Sequence, residues 1–267
     1  MTPETCFTNL LSAFRQEGAG LTTDVPTNWM QGRTAYGGLT SGLMLGAVER
    51  LHADLPPIRS ALVNFTGPVS APPTITSEMM RQGRNVTTVA ARAEVEGKPV
   101  ATATFSFGAA RESHVRLDHA APDAPTPQDC ELFIPEFAKA MAPAFHEHFE
   151  MRLIAGDRPM SAADHGYVRC WVRHVDPDAR DGAAPLLCLA DILPPAVYPM
   201  LKKRGPNSSM TWICNFLDAD LSTEDGWWQI ETNLSAARDG YSSQVMRAWN
   251  TRGDLVIDGM QAVALFV

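Results

Sequence analysis

The 267-residue sequence predicts an α+β fold of two tandem copies of one unit, a long central helix wrapped by an antiparallel sheet. Three features recur in order in the two halves. Leu62-Val63-Asn64-Phe65 matches Ile213-Cys214-Asn215-Phe216, which places Asn64 and Asn215 151 positions apart. Gly97-Lys98-Pro99-Val100 matches Gly253-Asp254-Leu255-Val256, with Val100 and Val256 156 positions apart. A helix opening at Gly37-Gly38 and a second expected near Asp191 share an offset of about 153. Three features in one order at nearly one offset indicate duplication.

The elements follow from spacing. Phe7, Leu10, Leu11 and Phe14 fall at helical intervals, so a short amphipathic helix opens the chain. Residues 18–31 are irregular and hold a short strand. After Tyr36-Gly37-Gly38, the run from Leu39 to Leu51 lacks Pro and has few polar residues, as a helix buried nearly all round requires. Pro56-Pro57 stops it. Strands are expected at 58–65, 74–81, 86–95 and 100–107, the last two turning at Glu96-Gly97-Lys98. Ala109 to Gln128, rich in Ala, Pro and Asp, reads as a linker or surface crossover. The second half repeats the plan. Strands are expected at 145–154 and 167–174, then a helix from Asp191 with Pro194 and Pro195 in its first turn. Four more strands follow, at 209–217, 227–234, 241–249 and 255–266. A long apolar helix has one place to go, the concave face of its sheet.

Bulk properties exclude several classes. Hydrophobic residues make up 45% of the chain, enough for a core. A net charge of -8 without a basic run argues against nucleic-acid or membrane-surface binding. Cys6, Cys130, Cys170, Cys188 and Cys214 are odd in number and scattered, which fits reduced, buried thiols in a cytoplasmic protein. No apolar run approaches a membrane span, and the N-terminus does not read as a signal peptide.

Gln31 to Gly38, Asn64 to Val69, Leu189-Ala190-Asp191 before Pro194-Pro195, and Met260-Gln261 form an ordered set that resembles acyl-CoA thioesterases of the thioesterase II type, which have the double hot-dog fold. Gln31-Gly32-Arg33-Thr34-Ala35-Tyr36-Gly37-Gly38 resembles the glycine-rich opening of that family's first central helix, and Asn64-Phe65-x-Gly67-Pro68-Val69 the strand and turn after it. Arg81-x-Gly83-Arg84-Asn85-Val86 and the strand from Val100 to Phe105 resemble the hairpin ending its first half. Leu189-Ala190-Asp191 before Pro194-Pro195 resembles the Asp-bearing helix start of its second half. Ala237-Arg238-Asp239-Gly240-Tyr241 and Met260-Gln261 resemble its last hairpin.

The resemblance implies a first hot-dog unit over residues 1–110, a linker over 111–140 and a second unit over 141–267. It implies hydrolysis of an acyl-CoA to free acid and CoA, with a catalytic Asp, hydroxyl residue and Gln, no cofactor and no metal. Carried over, these are Asp191, Ser209 and Gln261, with Ser208 and Thr211 as alternatives for the hydroxyl. The family has Thr where Ser209 stands. Tyr36, Gly37, Gly38 and Thr211 are the expected substrate-binding residues. The position matching Gln261 in the first half falls near Phe105, so one active site per chain is expected. Assembly into a homo-oligomer through a sheet edge or face is left open.

Each assignment has a plainer rival. Asp before a helix is most often an N-cap. Gln261 shares strand parity with Ile257, Val263 and Leu265, so it faces an apolar interior, where an amide needs partners. Gly37-Gly38 equally suits close packing at a helix start. His146-x-His148 fits one strand face but lacks a third ligand for a metal. Met200-Leu201-Lys202-Lys203-Arg204 is a small basic cluster at a helix end, suited to the helix dipole or to CoA phosphates. No P-loop and no Gly-x-Ser-x-Gly elbow occurs. A hot-dog dehydratase would want a His near Asp191 or the first helix start, and none stands there. A non-catalytic acyl-CoA or lipid binder on the same scaffold is the rival from another class.

Overall fold

The computed structural model describes residues 5–203 and 205–266. The first half contains α1 (Phe7–Ser12), β1 (Arg15–Glu17), β2 (Gly20–Thr22), β3 (Met30–Gln31), β4 (Thr34–Ala35) and α2 (Gly37–Leu51). It continues with β5 (Ile58–Phe65), β6 (Thr74–Gln82), β7 (Thr87–Val95) and β8 (Lys98–Phe107). The second half contains β9 (Glu131–Leu132), β10 (Phe149–Gly156), β11 (Tyr167–His174) and α3 (Ala183–Ala190). It ends with β12 (Asn207–Phe216), β13 (Trp228–Arg238), β14 (Tyr241–Trp249) and β15 (Leu255–Leu265).

Thirteen strands form one sheet in the order β1-β2-β6-β7-β8-β5-β12-β15-β14-β13-β11-β10-β9, and β3 and β4 pair separately. The order is nearly a mirror about the β5–β12 junction. There Asn64 lies opposite Thr211, Leu62 opposite Ile213 and Ser60 opposite Asn215. An offset of 151 exchanges the two members of each relation, so a pseudo-twofold axis passes through the Leu62–Ile213 pair. Farther along, Asn64 pairs with Thr102 as Asn215 pairs with Asp258, which reproduces the 156-residue offset. Alternating strands turn one face inward. In β7, for example, Val89, Ala91, Ala93 and Val95 are buried and alternate with less buried residues.

The helices lie together against that inner face. α2 is buried on nearly every side, including Leu39, Leu43, Met44, Leu45 and Val48. It runs antiparallel to α3. A Cβ on Gly38 would stand 2.3 Å from the Cys188 carbonyl oxygen, and one on Gly42 would stand 2.9 Å from that of Ala184. Only glycine lets the backbones approach so closely.

Three expectations need correction. The second helix does not begin at Asp191; it spans Ala183–Ala190 and Asp191 closes it. Pro185 occupies its first turn, and Pro194-Pro195 follow a chain that has already left the helix. The second unit's helix is therefore eight residues against fifteen for α2, and the two helix starts lie 146 positions apart (37 to 183). Finally, residues 144–148 form a 3-10 segment ahead of β10, so His146 and His148 are not on a strand.

The segment between halves is fastened down. The Trp249 indole N–H donates to the His119 carbonyl at 2.9 Å, the Trp171 indole to that of Pro125 at 2.9 Å, and Ala121 N–H to Gly253 at 3.0 Å. Beyond it, 3-10 turns at Glu136–Met141 and Ala144–His148 help wall the main cavity. No helix among the described residues is long and apolar enough to cross a membrane.

Candidate active site

A cavity of about 1220 Å³ opens where the start of α2 meets the end of α3. Its apolar lining includes Phe133, Met141, Phe145, Ile192 and Leu193; Asp191, Ser209 and Gln261 also border it. A smaller cavity of about 430 Å³ lies at the other end of the helix pair, beside Glu49, His52 and Ala183, and holds none of the expected site residues.

Asp191 terminates α3 and lies across the first turn of α2. The Gly38 backbone N–H donates to its carboxylate. A Cβ on Gly37 would stand 2.7 Å from Oδ2, so glycine there leaves room for the carboxylate. The helix-cap reading therefore names the right kind of helix end on the wrong helix. Asp191 serves the N-terminus of α2, in the other half of the chain, where the dipole favours negative charge. Burial pushes its pKa up to about 7, while hydrogen bonds from Gln261 and Gly38 pull the other way. The residue remains partly exposed while bordering the cavity, so its carboxylate is desolvated yet within reach of a small molecule.

Ser209 and Gln261 arrive on neighbouring strands. Gln261 projects inward from β15 opposite Trp212, with Val263 two residues on. Regular alternation from inward-facing Trp212 would turn Ser209 outward. A β-bulge between Ser209 and Thr211 restores the inward direction, with Ser209 opposite Val263. The Gln261 amide nitrogen then donates to Asp191 Oδ1 at 2.9 Å and to Ser209 Oγ at 3.0 Å. The three residues converge.

A fourth member escaped the sequence reading. Gln244 lies directly opposite Gln261 on β14 and is 3% exposed. Its amide nitrogen donates to Gln261 Oε1 at 2.9 Å, and its oxygen accepts from Ala196 N–H at 2.6 Å. The signal existed: Gln244 shares the inward parity of Met246 and Ala248, as Gln261 does on its own strand.

The expected binding residues divide. Tyr36 borders the cavity but is 1% exposed, with its hydroxyl donating to the Cys188 carbonyl at 2.9 Å and its ring stacked on Phe145 at 4.2 Å. Gly37 borders the cavity, and Gly38 holds Asp191. Thr211 is not brought to the site: it is exposed, faces away from the inner side and pairs with Asn64. Ser208 reaches the rim of the cavity, also exposed. His146 borders the cavity, whereas His148 is buried and stacked on Trp29 at 3.8 Å. Among the described residues no group of His, Cys, Asp and Glu could hold a metal ion. In the basic cluster, Lys202 and Lys203 are exposed beside the cavity-lining Leu201, and Arg204 lies outside the described residues.

The tandem helices on a shared antiparallel sheet place the protein among hot-dog folds. A conserved protein of unknown function with the hot-dog fold, from Alicyclobacillus acidocaldarius, aligns over 98% of both chains at 25% identity with a TM-score of 0.84. An acyl-CoA thioesterase II from Mycobacterium marinum aligns over 97% of both chains at 18% identity and TM-score 0.73. A dehydratase domain from Pseudomonas fluorescens shares the fold more distantly, at 12% identity and TM-score 0.56 over 97% of this chain and 99% of its own. Fold alone thus does not select a reaction. The family is settled by sequence models: residues 25–108 match the acyl-CoA thioesterase N-terminal domain and residues 118–265 the C-terminal domain. The chain belongs to the acyl-CoA thioesterase family. No curated protein is detectably similar to it in sequence.

Proposed function

We propose that this protein hydrolyses an acyl-CoA thioester to free acid and CoA by direct attack of water, with Asp191 as general base. The observation that carries the reading is the convergence of Asp191, Gln261 and Ser209 on one wall of the large cavity. A carboxyl with a pKa near 7 suits a base at neutral pH, being both ionised in part and basic enough to take a proton.

In the proposed reaction, water sits against the Asp191 carboxylate and the Ser209 hydroxyl. Asp191 removes a proton as the water oxygen bonds to the thioester carbonyl carbon. The first turn of α2 presents its positive end to the charge that develops on the carbonyl oxygen. The tetrahedral species collapses with cleavage of the carbon–sulfur bond. The proton held by Asp191 passes to the departing thiolate, and acid and thiol leave. Ser209 retains the hydroxyl function of the family's Thr. The chain is read as a double hot-dog with units at 1–110 and 141–267 joined by 111–140, a division supported by the near-mirror strand order. Five buried, unpaired cysteines agree with a reducing compartment such as the cytoplasm.

The test is thiol release from acyl-CoA esters of increasing chain length, comparing wild type with Asp191→Asn. Turnover on at least one ester that drops about 10²–10⁴-fold in the variant supports the assignment. Tight binding without turnover on any ester would leave a non-catalytic acyl-CoA binder. Equal rates in both proteins would mean that Asp191 is not the base.

A further inference from the structure

We propose that Gln244 is a positioning residue that fixes the orientation of the Gln261 amide, and through it the hydrogen bonds reaching Asp191 and Ser209. The inference rests on the hydrolase reading but has its own observations. A glutamine side chain has two ends of nearly the same shape and opposite hydrogen-bonding character. With Gln261 alone, nothing in its outline decides whether nitrogen or oxygen faces the base. The decision comes from a fixed backbone donor. Ala196 N–H can only donate, so it selects the oxygen of Gln244 at 2.6 Å. That leaves the Gln244 nitrogen to donate to Gln261 Oε1 at 2.9 Å. The Gln261 nitrogen is thereby turned toward Asp191 and Ser209. The direction set at a backbone amide is passed through two side chains to the carboxylate.

The geometry makes the relay rigid. Gln244 and Gln261 are directly opposed on adjacent strands and are 3% and 6% exposed. Reversing either amide would bring two donors or two acceptors face to face away from solvent, at the cost of an unmade buried hydrogen bond. Ala196 lies five residues beyond Asp191, just after Pro194-Pro195. The relay therefore closes a loop from the base, along its own chain, through Gln244 and Gln261 and back to the base. Among the described residues, the other titratable side chains that feel Asp191 are Tyr36, Cys188 and Cys214, all held neutral by burial. The groups that favour the ionised carboxylate, among the described residues, are the Gln261 amide and the Gly38 N–H.

Two substitutions separate orientation from mere support. Gln244→Glu keeps an oxygen for Ala196 N–H, but when ionised it presents a second acceptor to Gln261 and turns that amide around. Gln244→Met has similar volume and removes both bonds, leaving Gln261 free to choose. If Gln244 only anchors the 191–196 loop, Glu should be the milder change. If it orients Gln261, Glu should be the harsher one. We expect kcat to fall about 10²-fold in Gln244→Glu, the scale of losing one well-placed donor, and by less in Gln244→Met, with KM little changed in either. The Gln244→Glu defect should deepen as pH rises, because a neutral carboxyl can still donate to Gln261. The Asp191 carboxyl, followed by carbon-13 NMR, should titrate at higher pH in Gln244→Glu than in wild type. A milder effect in Glu than in Met, or an unmoved Asp191 titration, overturns the proposal. Because the titration needs no turnover, a wild type that hydrolyses nothing, together with a displaced Asp191 midpoint in Gln244→Glu, would sink the hydrolase reading and leave the positioning role standing.

Discussion

The two halves place equivalent backbone around unlike side chains. The pseudo-twofold relation carries Ser209 onto Ile58, Gln244 onto Val89 and Gln261 onto Phe105. Even the bulge that turns Ser209 inward has its counterpart between Ile58 and Ser60. In the first half these positions are 3%, 0% and 0% exposed and lie in the hydrophobic core. In the second half they form a connected polar relay beside a cavity. The helices differ in the same sense. α2 continues through fifteen residues, while α3 stops after eight and lets the chain leave at Asp191. One copy of the unit supplies packing and a helix N-terminus. The other gives up helix length and apolar contact to place a desolvated carboxylate against that N-terminus. A duplicated fold can divide these tasks because strand register fixes where a side chain points without fixing what it is.

The largest predicted effect comes from importing the polar residue into the packed half. Phe105→Gln deletes a fully buried ring and leaves an amide whose neighbours across the strands are Val89 and Ala61. A loss above about 3 kcal/mol is expected in denaturant unfolding. A change below about 1 kcal/mol would mean that the first half retains partners for such a group.

Asp191→Asn tests the other half. The carboxyl titrates near 7 when folded and near 4 when unfolded, so the folded state holds the proton more tightly. Its contribution to stability is complete below about pH 4 and is lost as pH rises toward about 7. The melting temperature of Asp191→Asn relative to wild type should therefore climb over that interval and level off above it. A difference constant with pH would show that Asp191 titrates at an ordinary value.

The smallest effect concerns a seam between the halves. His148 stacks on Trp29, and His174 packs against Phe7 at 5.9 Å. Burial lowers both imidazoles to about 4. Because the unfolded chain binds these protons first, wild type should lose stability as pH falls from about 6.5 to about 4. His148→Phe should flatten part of that slope in thermal melts; an unchanged slope would remove His148 from the account.

Much of this was legible in the residues. Strand alternation, the turn glycines and the all-round apolar stretch of α2 are local signals, and each matches the element formed. The repeat at 151 and 156 positions reappears in the strand register because side-chain period ties sequence offset to pairing. Gln261 stood out as an amide with inward parity, and Gln244 carried the same mark. The second helix was misplaced because Asp followed by prolines imitates a helix start, whereas the apolar stretch from Ala183 to Ala190 lacks a side-chain cap to announce it. Sequence by itself thus determined the strands, the repeat and the residue types at the site, since these depend on neighbours along the chain. Only tertiary structure decided that Asp191 serves the other half's helix, that a bulge selects Ser209 over Thr211, and that Gln244 orients Gln261. Those outcomes depend on which backbone donors and strands meet across 17 to 154 residues, separations over which local propensity does not decide the partner.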